Sequence, residues 1–251
     1  RKKFKNSIYI NISRKNKKFL KSLKFAYHLE IHEFEKCISI LKKHNISQIC
    51  FLGSVNRPNL SRIKIDQVLI KYINELINSS KTGDADILST IINIFAREGF
   101  RTMSFIEIFP DEYLLNKEIN KITNVDRKDI AKGISILNSL SKYDNAQSCI
   151  ITDGYVLAIE AVEGTDKMIS RIKSIKKKIS RDIIEGCLIK IPKKKQNLNI
   201  DLPTVGIRTL ELMYKNKLSV LAVQKDFTIV VEKQKFYRRL KKYNISLSFI
   251  S

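Results

Sequence analysis

The sequence predicts two domains that both combine helices and strands. The first half reads as α/β with a parallel sheet, the second as α+β with a mixed sheet. Three observations carry this. Strand-like and helical runs alternate through the first half, the order that builds parallel sheets. The short apolar run Ser47–Leu52 ends at Gly53, as a buried parallel strand does. In the second half Asp153-Gly154 separates two apolar runs, a hairpin signal.

The elements follow in order. Ile8, Ile10 and Ile12 alternate with Ser7, Tyr9 and Asn11, which predicts a strand over Ser7–Ile12. Phe34, Cys37, Ile38, Ile40 and Leu41 fall at helical spacing within His32–Lys43. Helices are expected over Gln67–Ser79 and Asp84–Arg97, the second opened by Gly83-Asp84 and closed by Gly99. Arg101–Ile108 is expected as a strand. Periodicity fades from Pro110 to Asn124, which separates a domain over 1–122 from one over 123–251. In the second domain a helix is expected over Asp126–Ser141, then a hairpin of Ser148–Thr152 and Tyr155–Glu160. Gly164-Thr165-Asp166 opens a helix over Lys167–Ile179. Gly186–Ile191 is a strand, and Val205–Lys215 a helix with Pro203 in its approach. Leu218–Val223, Phe227–Val231, a helix over Glu232–Tyr243 and a strand over Ile245–Ile250 complete the pattern.

Composition bounds the partners. The chain has 251 residues, 43% hydrophobic and 29% charged, a globular composition with length for one large or two small domains. No apolar run reaches the roughly 18 residues a membrane span requires. Arg1-Lys2-Lys3-Phe4-Lys5 is too short and polar for a complete signal peptide, and a start on arginine is consistent with a fragment. Cys37, Cys50, Cys149 and Cys187 have no metal or redox spacing, so free, mostly core thiols in a reducing cytoplasm are expected. The net charge of +22 favours nucleic acid, nucleotides or an acidic membrane surface. The excess of lysine, asparagine and isoleucine everywhere is an equal alternative, a drift of the whole composition. His28, His32 and His44 are the only histidines. His28 and His32 stand one helical turn apart, read as exposed or partly buried helix residues. A metal elsewhere would then be held by oxygen ligands, which favours Mg²⁺ or Mn²⁺ over zinc.

Four segments carry candidate chemistry. From Lys193 to Gly206 a basic, amide-rich stretch with Lys195 and Gln196 approaches Asp201, Pro203 and Thr204. Pro203 suits the first turn of a helix, placing Asp201 and Thr204 at its mouth, where free N–H groups favour anions. A capped helix after a solvated loop is the alternative. Gly53 lets backbone approach a ligand closely, Asn56 donates and accepts, and Arg57 can fork onto phosphate. A turn with one surface arginine explains the same residues. Asp84 and Asp86 begin a helix, where carboxylates are also ordinary capping groups. Glu160, Glu163 and Asp166 follow a strand and surround Gly164-Thr165. Glu163 and Asp166 are close enough in sequence to share a cation or a water, although Asp166 could simply cap. A charge ending the apolar strand Tyr155–Ile159 gives Glu160 the stronger claim. The chain has no P-loop, dinucleotide fingerprint or nucleophile elbow. Metal-assisted attack on a phosphate is the chemistry that remains.

Six motifs in register resemble the LpxI family, the UDP-2,3-diacylglucosamine pyrophosphatases of lipid A biosynthesis. They are Gly53-Ser54-Val55-Asn56-Arg57-Pro58, Lys81-Thr82-Gly83-Asp84, Glu98-Gly99-Phe100, Gly154-Tyr155-Val156-Leu157-Ala158-Ile159-Glu160-Ala161, Glu163-Gly164-Thr165-Asp166 and Asp201-Leu202-Pro203-Thr204-Val205-Gly206. The resemblance implies a Rossmann-like N-terminal domain, a distinctive C-terminal domain and a site in the cleft between them. It implies Mg²⁺-dependent hydrolysis of a UDP-linked diacyl sugar to UMP and 2,3-diacylglucosamine 1-phosphate (lipid X). Family members begin with a strand and a Gly-Gly-Gly-x-Leu-Pro loop that this chain lacks; Ser7–Ile12 aligns with their second strand.

The resulting expectation is a cytoplasmic enzyme peripheral to the inner membrane, with a homodimer among the states it allows. Asp201, Asp166 and Glu163 are the expected catalytic groups, and Asp201, Glu160 and Glu163 the expected ligands of Mg²⁺ or Mn²⁺. Gly53, Asn56, Arg57, Asp84, Thr165, Lys195, Gln196 and Thr204 are the expected substrate contacts. Two other readings stay open at this point: a basic nucleic-acid-binding protein, and a truncated relative that binds the lipid without cleaving it.

Overall fold

The structure is a computed structural model and describes residues 7–12, 25–53, 66–81, 83–109, 113–178, 185–194, 198 and 201–250. It divides after Met103 into two compact units, Arg1–Met103 and Ser104–Ser251, earlier than the 122/123 division expected from periodicity.

The first unit is α/β with parallel pairing. β1 (Tyr9–Asn11) pairs with β2 (Ala26–His28), and β3 (Gln48–Ile49) with β4 (Arg101–Thr102), both in parallel. β2 has no counterpart in the sequence reading, because three residues are too few to show alternation. It places His28 on a strand and not on a helix with His32. α1 (Phe34–Lys43) turns Ile38 and Leu41 inwards. Phe95 forms the centre of the core, with the rings of Phe34, Phe51 and Phe100 meeting it edge-on at 5.1, 5.5 and 6.1 Å. The helix expected over 67–79 is two, α2 (Gln67–Ile70) and α3 (Ile73–Ser80). Tyr72 at the break is buried and its hydroxyl donates to Glu98 at 2.9 Å.

α4 (Asp84–Arg97) ends where the sequence predicts, and the ending explains the Glu98-Gly99-Phe100 motif. Gly99 has a φ of +93°, a conformation costly for any residue with a Cβ. It lets the Phe100 N–H reach back to the Phe95 carbonyl at 2.9 Å and the Gly99 N–H to Ala96 at 3.0 Å. This closes the helix and drops Phe100 into the core. The expected strand over Arg101–Ile108 stops at Thr102. Ser104 then caps α5 (Phe105–Ile108), with Glu107 returning the bond in a capping box. Ser104 and Glu107 have the spacing of a capping box, and their two reciprocal bonds override the alternation.

The second unit is built on five strands in the order β11-β9-β7-β5-β6. They are β5 (Ser148–Thr152), β6 (Tyr155–Ile159), β7 (Cys187–Lys190), β9 (Val220–Gln224) and β11 (Ser246–Ile250). β7, β9 and β11 run parallel, and the β5–β6 hairpin joins β7 antiparallel, so the sheet is mixed. Its strands are nearly all apolar because both faces are covered. Ile150, Leu188, Leu221 and Leu247 pack on one face beneath α7 (Thr165–Lys178), α8 (Ile207–Lys215) and α9 (Lys233–Lys242). Cys149, Ile151, Cys187 and Ile189 pack on the other beneath α6 (Asn124–Leu140), which Thr123 and Asp126 cap reciprocally. The four cysteines are free, and burial pushes the Cys149 thiol up to about 12.

Gly186, just before β7, marks a close approach. A Cβ there would stand 2.2 Å from Thr152 Oγ1 and 3.3 Å from the Ile151 carbonyl oxygen. Gly186→Ala is expected to lower stability by about 2 to 3 kcal/mol, because one strand end must move against a filled core. A urea melt reads this directly; a midpoint equal to wild type would show that the strand ends part freely.

β8 (Thr204–Val205) corrects the sequence reading of the Asp201 segment. Val205 and Thr204 pair in parallel with β10 (Ile229–Val230), and the Ile229 N–H donates to the Pro203 carbonyl at 2.8 Å. Pro203 therefore enters a short strand, where a missing N–H is tolerated at the first position. The cap of α8 is Gly206, so neither Pro203 nor Thr204 lies in a helix mouth.

Candidate active site in the C-terminal unit

The pairing register of the mixed sheet gathers polar side chains into one row. Ser148 opposes Lys190 across β5 and β7, and the Glu160 N–H donates to the Ser148 carbonyl at 2.9 Å. Ser148 and Lys190 share a face with Ile150 and Leu188, because alternate residues of a strand point the same way. The row thus closes one end of the larger apolar core. It lies at the carboxyl end of β7, the side where open parallel sheets bind ligands.

Each member is held. Ser148 is wholly buried and its hydroxyl donates to Glu160 Oε2 at 2.5 Å. Thr165, the first residue of α7, donates its hydroxyl to the same oxygen at 3.1 Å. Lys190 Nζ donates to Thr165 Oγ1 at 2.9 Å. Glu160 is 6% exposed and Lys190 5%, so these are interior contacts with strong electrostatics. Burial holds the Lys190 ammonium below the usual lysine range, against the opposing pull of the carboxylates of Glu160, Asp166 and Asp201. Three carboxylates, one after β6, one in the first turn of α7 and one before β8, therefore act on one buried cation.

The other predicted residues divide clearly. Asp166 accepts from Thr209 Oγ1 at 2.9 Å and lies 3.4 Å from Arg208 Nε, which ties α7 to α8. Glu163 turns away to Arg171 at 2.9 Å, and Arg171 also donates to the Ile159 carbonyl at 2.6 Å. Asp201 is half-buried, and its carboxylate makes no hydrogen bond or ion pair with any of the described residues. Thr204 is exposed on β8, and its hydroxyl donates to the Leu202 carbonyl at 3.1 Å. Gly53 follows β3 in the first unit with a φ of +89°. Asp84 begins α4, but its side chain lies outside the described set, as do Asn56, Arg57, Lys195 and Gln196 altogether.

This arrangement does not assemble Glu160, Glu163 and Asp201 into a common ligand set. Among the described residues no three His, Cys, Asp or Glu side chains are grouped to hold a metal. Glu160 is occupied by two hydroxyls and Glu163 by an arginine. A cation held by Asp201, phosphate oxygens of a substrate and water does fit, since Mg²⁺ commonly takes only one or two protein carboxylates.

Lys190 is the residue the sequence reading missed. The signal was there: a charge ends the apolar run Cys187-Leu188-Ile189, the same anomaly that singled out Glu160. Ser148 had no signal, because a serine opening a strand is ordinary.

Comparison with known proteins also divides the chain into an N-terminal and a C-terminal part. Residues 2–112 match the LpxI N-terminal domain, and residues 116–248 match the LpxI C-terminal domain. The chain is 29% identical over 210 residues to the UDP-2,3-diacylglucosamine pyrophosphatase LpxI of Caulobacter vibrioides, covering 81% of this chain and 74% of that relative. Glu160, Thr165, Lys190 and Asp201 all fall within the C-terminal match. That match alone spans more than half of the sequence, and with both domains found in order the chain belongs to the LpxI family.

Proposed function

We propose that the chain hydrolyses the diphosphate of UDP-2,3-diacylglucosamine, releasing UMP and 2,3-diacylglucosamine 1-phosphate. Water forms one new P–O bond, the bridging P–O bond breaks, and the water's protons leave on the two phosphomonoester products or to solvent. The observation that carries this is Asp201: its half-buried carboxylate acts on the buried Lys190, which Thr165 links to Glu160. A carboxylate so placed would serve as a ligand for a water or a cation. Mg²⁺, with Mn²⁺ as a substitute, is the cation proposed, and when bound it would offset the negative charge of the diphosphate. Asp201 would be its protein ligand. Thr165 and Asp166, at the N-terminal end of α7, would contribute to the same site, where that helix end favours an anion. The lysine-rich surface suits the peripheral face of an anionic membrane, where a diacyl substrate resides. No helix of the described residues is long and apolar enough to cross that membrane.

The test is direct. The purified chain, given UDP-2,3-diacylglucosamine and Mg²⁺, is expected to release UMP and the sugar 1-phosphate in equal amounts, and chelation with EDTA is expected to stop it. A folded chain that releases no UMP above background rejects the reading. Release that persists unchanged in EDTA rejects the cation.

A further inference from the structure

We propose that Lys190 is a positioning residue of this hydrolytic site, acting on Glu160 through Thr165 and on Asp166 and Asp201 through its charge. The inference rests on the reading of the site given above.

The geometry supports it in three ways. Lys190 is the last residue of β7, and its stem runs in the interior, fixed by the strand pairing on both sides. Its ammonium reaches Thr165 Oγ1 at 2.9 Å, and a hydroxyl that accepts there has its own proton free to donate only elsewhere. That proton is directed at Glu160 Oε2, 3.1 Å away, which also accepts from Ser148, and the two hydroxyl oxygens lie 3.4 Å apart. Lys190 thus donates to Thr165 and Thr165 to Glu160, where a second donor, Ser148, converges on the same oxygen.

The charge balance points the same way. A lone buried ammonium is costly, and carboxylates crowded into one space repel each other. Lys190 answers both, since Glu160, Asp166 and Asp201 all act on it. Glu160 and Asp166 have further partners in Ser148 and Thr209, whereas Asp201 has none of that kind among the described residues. Lys190 is therefore a buried positive charge that acts on Asp201 from within the unit. It is 5% exposed and lies behind Thr165, so it is not assigned to contact substrate.

Steady-state kinetics of four variants test this, with UDP-2,3-diacylglucosamine, Mg²⁺ and release of UMP as the assay. Lys190→Met keeps the length and removes the charge. Its kcat is expected to fall by about 100-fold, the scale of loss when reacting groups are displaced by about 1 Å, with KM within threefold of wild type. Thr165→Val keeps the shape and breaks the chain in its middle; it is expected to share that signature, whereas Thr165→Ser, which restores the hydroxyl, is expected to stay within fivefold of wild type. The double variant Lys190→Met/Thr165→Val is expected to be no slower than the slower single variant, because both changes break one connection. If Lys190→Met fails to fold, the threonine pair still decides. Thr165→Val close to wild type, or Thr165→Ser as slow as Thr165→Val, overturns the role. So does a raised KM with kcat unchanged in Lys190→Met, which would make Lys190 a substrate contact. A wild-type chain that releases no UMP rejects the reading of the site, and the role of Lys190 with it; an active wild type matched by folded Lys190→Met rejects Lys190 alone.

Discussion

Asp201→Asn is expected to lower kcat by on the order of 10²- to 10³-fold while leaving the melting midpoint close to wild type. The size follows from losing a preorganised charge where charge develops in the reaction. The small stability effect follows from the structure. Asp201 is half-buried, and among the described residues no hydrogen bond depends on its carboxylate. Its neighbours Leu202 and Val205 carry the packing of that segment, and the Pro203 carbonyl carries its link to β10. An asparagine of the same shape disturbs none of these. Asp201→Glu is expected to fall between the two, since it keeps the charge and moves it by one methylene. Thermal melts and UMP release on the same samples separate the effects. Turnover of Asp201→Asn within threefold of wild type would remove Asp201 from the chemistry.

The same substitution at Asp166 bears on a different question. Asp166 is tied to Thr209 and Arg208, so its loss frees the start of α7 from α8 as well as altering the site. A loss of activity there would report both effects at once, whereas the loss at Asp201 would report chemistry.

Much of this architecture was legible in the sequence because its strands are nearly pure apolar runs. Cys149-Ile150-Ile151, Leu188-Ile189 and Val220–Val223 have both faces buried, and such runs announce themselves without a partner. Asp153-Gly154 marked the hairpin, with Asp153 at φ +47° and Gly154 at +77°. What was not legible depended on pairing between distant segments. Thr204–Val205 becomes a strand only because Ile229–Val230 lies beside it, and nothing within Asp201–Gly206 encodes that contact. Read locally, proline before an amphipathic run looks like a helix start. Ala26–His28 is likewise a strand only through Tyr9–Asn11. The site divides the same way. Glu160 stood out as a charge ending an apolar strand, Thr165 and Asp166 as residues opening a helix, and Asp201 as a carboxylate between an amide-rich stretch and Pro203. Their convergence on Lys190 was not, because register sets it: Ser148 must oppose Lys190 for the row to exist. Glu163, expected to share a cation or a water with Asp166, forms an ion pair with Arg171, a contact that its sequence neighbours do not announce.

Glu160→Ala is expected to be the most destabilising change in the site, by about 3 kcal/mol at neutral pH. Three losses add. Ser148, wholly buried, and Thr165, 8% exposed, both lose a charged acceptor, and hydrogen bonds to charged groups contribute roughly 1.5 to 3 kcal/mol each before relaxation. Lys190 also loses the carboxylate that acts on it most strongly. Asp166 and Asp201 still face it, which keeps the cost at the lower end for breaking a buried charge arrangement. The pH dependence has a definite sign. In the folded chain burial holds the Lys190 ammonium below the usual value of 10.5, so over that window the unfolded chain binds more protons and stability rises with pH. Without Glu160 the folded ammonium is disfavoured further, which adds to the deficit wherever the unfolded lysine is protonated. The gap between wild type and Glu160→Ala is therefore expected to narrow as pH rises towards 10.5, while the hydroxyl losses remain. Urea melts of both proteins from pH 7 to pH 10 measure it, and because the gap is a difference, titration of the remaining lysines and thiols cancels. Glu160→Gln, which keeps an acceptor oxygen for Ser148 and Thr165 but not the charge, is expected to recover the hydroxyl part and retain the pH-dependent part. A gap independent of pH in both variants would mean that Glu160 stabilises the fold through its hydrogen bonds alone and that Lys190 does not depend on its charge.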